Sequence, residues 1–460
     1  MTRQAAVFPH APATARSSPR RLSADLAIVA TAATVLGMFA ISPLLLEHFR
    51  ISYITSGGGA ASKFHPASFC AVAAFAFRCL ATRNPLRTGL RLITNDSGVV
   101  LLLAAAGMAA VYAILIAKTP VTPLFDTFIL PVLCFLLLRD LDVVFVRWLA
   151  LAIAAILCVN AVMAIIEFTG GWHFVTLPVS LDATSDPRRG DAVFDWRADI
   201  SLDWRAVALL GHPLVNGLIV GFFIICLAAY GSDWLPAWIK LPLLLLEGAS
   251  MFAFGARASL VMTMLIVSAF TLQRTGAALA AGARLTPRAI AITILLVGVV
   301  LIAVGLLDAT GFFDRTLQRF SNDYGSAGTR RTMFEMFTPI PWSDLFLGPD
   351  QKVVATWQRL LGLEFGIESS WVGLALSYGV LMTAILMIGL LAFARSLARA
   401  CGRGTIAALG FFFLSVSATA SLSGKTTSFA MAAILALLFL RKDERCVPLR
   451  AALGLHEVVR

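Results

Sequence analysis

The sequence predicts an all-α fold, a polytopic membrane helical bundle, and three observations carry that prediction. Hydrophobic residues make up 59% of the 460-residue chain and charged residues only 14%. The mean hydropathy of +0.84 is far above that of an ordinary soluble protein. Apolar runs near the roughly 20 residues needed to span a bilayer recur from one end of the chain to the other. Such runs fold as helices, because open backbone cannot face lipid.

Residues 1–22 are Ala-, Pro- and Arg-rich without apolar periodicity and read as a short disordered tail carrying Arg3, Arg16, Arg20 and Arg21. The first apolar run, 25–46, is too long for a signal-peptide core and is followed by no convincing small-residue cleavage site, so it reads as a membrane anchor. Further runs lie at 66–82, 98–117, 123–138, 145–167, 205–230, 235–254, 257–272, 288–307, 368–394, 404–421 and 426–440. These predict about 12 transmembrane helices in a membrane domain over 23–440. A second tail follows at 441–460.

Lys and Arg in the short connections set the orientation. Alternate loops carry Arg83, Arg87 and Arg91; Arg139 and Arg147; Lys240; Arg274, Arg284 and Arg288; Arg395, Arg399 and Arg403; and Arg441, Lys442 and Arg445. All fall on the side of the Arg-rich N-terminus, which predicts that both termini are cytoplasmic. The weakest span is 66–82, which contains Arg78, but omitting it would invert the remaining charge bias. The net charge of +11 therefore reports topology, with the basic residues spread between apolar spans rather than gathered into a nucleic-acid-binding domain. None of the seven cysteines lies in a long polar loop, and no disulfide framework is implied.

Two long loops, 168–204 and 308–367, then face outward, and only these have room for a polar site of any size. The first carries His173, Asp186, Arg188, Arg189, Asp191 and two copies of Trp-Arg-Ala, at 196–198 and 204–206. The second carries Arg315, Arg319, Arg330 and Arg331. Its 352–363 segment, with Val353, Val354, Trp357, Leu360 and Leu361 at helical spacing, predicts an amphipathic helix on the membrane surface or over the bundle.

The first loop leads into residues 204–217, Trp-Arg-Ala-Val-Ala-Leu-Leu-Gly-His-Pro-Leu-Val-Asn-Gly, where polar side chains open an apolar run. A helix through this stretch would put Arg205, His212 and Asn216 on one face, with Pro213 starting or kinking it. The competing reading is structural: Arg205 as an interfacial anchor, His212 as an N-cap before a first-turn proline, and Asn216 as a helix-packing contact. Three more outward residues stand against the charge bias or its expectation: Arg257 in Gly255-Ala-Arg-Ala-Ser, Arg330 in Ser326-Ala-Gly-Thr-Arg-Arg, and Glu368 in Gly366-Ile-Glu-Ser-Ser. An arginine fork suits phosphate or diphosphate oxygens. Snorkelling of Arg257 to headgroups, and Glu368 offsetting a helix dipole, are the structural alternatives.

Arg-Ala-x-x-Leu-Leu-Gly-His-Pro-Leu-Val-Asn-Gly, then Ala-Arg-Ala-Ser opening a helix, then Gly-Thr-Arg-Arg-Thr-Met-Phe in a long outer loop, then Ile-Glu-Ser-Ser-Trp and a Tyr-Gly, together resemble the O-antigen ligase and polymerase superfamily of bacterial envelope glycosyltransferases. The likeness covers residues 200–385; the earlier helices match in number and topology alone. It implies two long periplasmic loops, location in the inner membrane, and a saccharide on undecaprenyl diphosphate as donor. It also implies a glycan acceptor, a diphosphate held by arginines, and neither metal nor other cofactor. Membrane lipid, a flippase and a chain-length regulator are the accompanying partners, and nucleic acid is not one.

In ligases of this superfamily a His-Asn pair opens the helix after the large loop, where this chain has Glu368-Ser369. A carboxylate there is similar to exopolysaccharide polymerase-like members, which favours polymerisation over transfer to lipid A-core. Glycosyl transfer needs a base for the acceptor hydroxyl and stabilisation of the departing diphosphate. Glu368 and then His212 are the candidates for the first role, and Arg205, Arg257 and Arg330 for the second. The rival from another class is a transporter of the same lipid-linked sugar, which Glu247 in an apolar run keeps open although no repeated halves are visible.

Overall fold

The computed structural model describes residues 19–54, 59–117, 120–175, 205–229, 234–282, 326–363, 367–402 and 404–442, with isolated positions at 298, 305 and 309. Among these residues the regular structure is helical, apart from a single antiparallel bridge between Cys401 and Arg441. Six helices are long and apolar enough to cross a membrane: Arg20–Ala40, Ser97–Ala117, Val143–Gly170, Ala237–Phe254, Arg257–Ala280 and Ser370–Ala400. Shorter apolar helices, Pro66–Leu80, Thr122–Leu138, Pro213–Ala228, Gly404–Val416 and Ser428–Phe439, pack among them. The architecture is that of an all-α membrane protein. Nearly all of the expected run at 288–307, most of both tails, Asp186, Arg188, Arg189, Asp191, the first Trp-Arg-Ala copy at 196–198 and Trp204 of the second lie outside the described residues.

Local chemistry explains where the helices begin. Pro66 and Pro213 each stand at a first helical position, where the missing N–H costs nothing, and each is preceded by a histidine whose Nδ1 accepts the next free N–H at 3.2 Å. Asp96 and Asp142 cap Ser97–Tyr112 and Val143–Gly170 in the same way. Gly171 and Gly255 end Val143–Gly170 and Ala237–Phe254 in the left-handed conformation.

Pro213–Ala228 and Ser428–Phe439 form the centre. All residues of Ser428–Phe439 are buried, which is what a helix apolar on every side requires. Around them, Ser97–Tyr112 lies against Ser370–Ala400. Gly98 and Gly389 permit that approach, since a Cβ at Gly98 would collide with the Ala392 carbonyl and one at Gly389 would press on Leu102 and Ala105.

One end of the bundle gathers basic side chains. Arg78 sits in the last turn of Pro66–Leu80, pairs with Asp140 at 2.7 Å and donates to the Leu136 carbonyl, so the arginine within that weak span lies at its terminus. Arg139 reaches Asp96 at 3.8 Å, and Arg441 donates to the carbonyls of Leu138 and Leu141. Partial burial pushes the Asp140 carboxyl up, and the Arg78 and Arg139 guanidinium groups outweigh that and hold it below its ordinary value.

The opposite end is capped by Ser326–Glu335, Trp342–Leu347 and Gln351–Leu360. The last is the expected amphipathic helix, beginning one residue earlier and ending three residues earlier than the 352–363 pattern. Its Val354 joins Met333, Leu345, Leu363, Val372 and Leu376 in a small core, which seats it over the bundle.

Candidate functional site

The segment 205–212 is not helical, which corrects the expectation of a single face for Arg205, His212 and Asn216. The helix starts at Pro213, and the residues before it turn through Ala208 (φ +45°) and Gly211 (φ +79°). A positive φ at alanine is costly and persists where neighbours enforce it. Here the enforcement comes from three buried polar side chains.

Glu167, 1% exposed near the end of Val143–Gly170, accepts the N–H groups of Val207 at 2.7 Å and Ala208 at 2.9 Å through one oxygen. His173 Nδ1 lies 3.3 Å from the same oxygen, and the other oxygen accepts the Phe174 N–H at 3.0 Å. Two turns earlier, Asn160 accepts from Leu209 at 2.9 Å and Leu210 at 3.3 Å. The Asn160 amide donates to Asn216 at 2.9 Å, and Asn216 donates to the carbonyls of Val207 and His212. The reading of Asn216 as a helix-packing residue holds, and its partners show why an amide is needed there.

His212 is the N-cap, as the structural reading had it. Its Nδ1 accepts the Leu214 N–H, so the neutral ring carries its proton on Nε2 and presents a donor. His212 stands ahead of the embedded helix. Desolvation of the ring, followed by the nearby Arg205 charge, pushes its pKa from 6.5 down to about 4.

Arg257 is brought to the same end of the bundle. It is the first residue of Arg257–Ala280, two positions after the left-handed Gly255. Ala256 packs against Gly217, where any Cβ would collide, and the Ala206 N–H donates to the Ala253 carbonyl at 3.0 Å. The backbones bearing Arg205, His212 and Arg257 are thereby fastened to one another. Two guanidinium groups and an imidazole N–H, all of them donors suited to anionic oxygens, are thus carried at one end of the bundle.

Glu368 lies at the same end of the bundle, just ahead of Ser370–Ala400, with Gly404–Val416 standing between that helix and Arg257–Ala280. Its N–H donates to the Met333 sulfur at 3.1 Å, which docks Ser326–Glu335, the helix containing Arg330, against it. The Arg330 side chain lies outside the described residues. Ser370 donates to the Thr419 carbonyl at 2.6 Å and accepts the Leu422 N–H, tying the Glu368 helix to the turn after Gly404–Val416. That helix in turn meets Arg257–Ala280, with Ser415 at 4.0 Å from the Met262 sulfur.

A second polar cluster at this end was missed in the sequence. Asp126, fully buried in a π-helical turn, accepts from Ser68 at 2.7 Å, Tyr53 at 2.8 Å and the His65 N–H at 3.3 Å. Lys425 lies 3.5 Å from the Tyr53 ring centre and donates to the Tyr53 carbonyl. An aspartate within the run 123–138 and a lysine between two spans were the available signals. Among the described residues, no three His, Cys, Asp or Glu side chains converge as metal ligands. No protein-family model, curated protein or solved structure matches the chain.

Proposed function

We propose that the protein is a membrane glycosyltransferase that polymerises undecaprenyl-diphosphate-linked oligosaccharide units into exopolysaccharide or O-antigen at the periplasmic face of the inner membrane. The observation that carries the reading is the non-helical 205–212 segment, which buried Glu167, Asn160 and Asn216 hold so that Arg205 and His212 share an end with the Arg257 turn. Spending three buried polar side chains on one irregular segment is costly in an apolar bundle, and a site that needs fixed donors gives it a purpose. The full topology in this reading is 12 spans, with cytoplasmic termini and periplasmic loops at 168–204 and 308–367.

The acceptor hydroxyl oxygen attacks the anomeric carbon, its proton passes to Glu368, and the bond to the diphosphate oxygen breaks. Arg205, Arg257 and Arg330 stabilise the charge that gathers on the departing diphosphate. With Nδ1 engaged by Leu214, His212 suits donation to a phosphate or sugar oxygen better than proton abstraction. No metal or other cofactor enters the scheme. Donor lipid, growing glycan, a flippase and a chain-length regulator are the partners it requires.

Glu247, buried within Ala237–Phe254, favours a second reading, transport of the same lipid-linked saccharide. Membranes containing the protein and one purified lipid-linked oligosaccharide distinguish the readings by product. Lengthened glycan on the lipid supports polymerisation, transfer to lipid A-core makes the protein a ligase, and an unaltered but translocated saccharide makes it a transporter.

A further inference from the structure

Glu247 differs from the other buried carboxylates. Asp126 and Glu167 are each surrounded by donors, whereas both oxygens of Glu247, whose residue is 0% exposed, lack a hydrogen-bond partner among the described residues. An ionised carboxylate without donors in apolar surroundings is strongly disfavoured, and taking up a proton removes most of that penalty.

The neighbouring helices do not offset its charge. Val143–Gly170 brings Cys158 within electrostatic reach, while its Arg147 lies at the far end over Trp234 and its Glu167 belongs to the 205–212 network. Pro213–Ala228 contributes Cys226, and Arg257–Ala280 contributes Arg257 at its outer start and Arg274 well beyond. Lys240 lies two turns back on the Glu247 helix itself. None of these donates to the Glu247 oxygens.

The position of Glu247 gives a proton there leverage. From Glu247 to Phe254 is about 10 Å of helix at 1.5 Å per residue. At that end the Ala253 carbonyl accepts the Ala206 N–H, and Gly255 turns the chain into Arg257. We propose that Glu247 is a proton-binding site inside the bundle, and that its protonated form keeps the backbone of Arg205 and Arg257 in place. Release of the proton to water leaves a charge that the helix must move to solvate, and the movement is delivered to Ala253 and Gly255. This holds for a transferase and a transporter alike.

The test uses the full-length protein in lipid nanodiscs and two variants, Glu247→Gln and Glu247→Leu, the second guarding against misfolding of the first. At neutral pH the infrared difference between wild type and either variant should contain the carbonyl stretch of a protonated carboxylic acid, shifted in deuterated water. As pH is raised that band should fade in the wild type. In step with it, amide exchange over 253–260 should accelerate severalfold relative to the variants at the same pH. A carboxylate band in the neutral-pH difference overturns the proposal. So does an acid band that fades, or persists until the protein unfolds, with no exchange difference between wild type and variants.

Discussion

Asn160 donates a 2.9 Å hydrogen bond to Asn216, and between them the two amides engage four backbone groups of the 207–212 segment. Asn160→Leu would strip the acceptor from Leu209 and Leu210 and the donor from Asn216 at once. The expected loss is on the order of 3 kcal/mol, read as a fall in the unfolding midpoint in detergent. In a double-mutant cycle, Asn160→Leu with Asn216→Leu should cost clearly less than the sum of the single changes. Additive costs would mean that the two amides act separately.

Arg257→Lys should leave protein level intact and lower polymer formation on the order of a hundredfold, because an ammonium cannot reproduce a bidentate fork. Arg205→Lys should follow it. A near-normal rate for Arg257→Lys would reduce that residue to a headgroup anchor, and retention by both variants would remove the diphosphate grip from the mechanism.

Glu368→Gln keeps the size and most hydrogen bonds of the side chain but removes the proton acceptor. Turnover should fall by on the order of a hundredfold or more while the lipid-linked donor still binds, as measured by equilibrium binding. Normal turnover in Glu368→Gln would leave the carboxylate a helix-end charge.

His212 supplies a pH dependence of stability. Its folded pKa of about 4 lies below the ordinary 6.5, so the unfolded chain takes up the proton first as pH falls. Stability is therefore full above 6.5 and declines toward about 4. His212→Asn preserves a capping side chain and removes this titration. Subtracting its midpoint-versus-pH curve from that of the wild type should isolate a slope confined to this window, and a flat difference would show that the ring titrates equally in both states.

The helices and several of their boundaries were legible because local signals specify them. His65-Pro66 and His212-Pro213 announce their own starts, and the 352–363 pattern marked the amphipathic helix. The turn at 205–212 was not legible. Arg-Ala-Val-Ala-Leu-Leu has good helix formers, and the groups that override them come from Glu167 and Asn160, some 40 to 50 residues away in sequence. Asn160 and Glu167, two polar residues seven apart in the second half of the largely apolar Val143–Gly170, were the trace they left. The Asp126 cluster escaped for the same reason, since Tyr53, Ser68 and Lys425 meet it only in the folded chain.

Gly379 interrupts Ser370–Ala400 at φ +82° and ψ +160°, a conformation all but reserved for glycine, and a Cβ there would collide with Leu347 and Gly348. Its carbonyl is taken instead by the Thr383 hydroxyl at 2.8 Å. The mechanical consequence is a joint. A continuous helix transmits torque along its whole length, whereas this one is two rods in series, and the outer rod is fastened to the capping helices through the Gln351 amide on the Leu376 carbonyl. Glu368 thus rides with the cap, while the inner rod stays registered against Ser97–Tyr112. The position of the carboxylate is therefore set from two sides, by how the cap is seated and by the Ser370 bonds to the Thr419 carbonyl and the Leu422 N–H that tie its rod to the bundle.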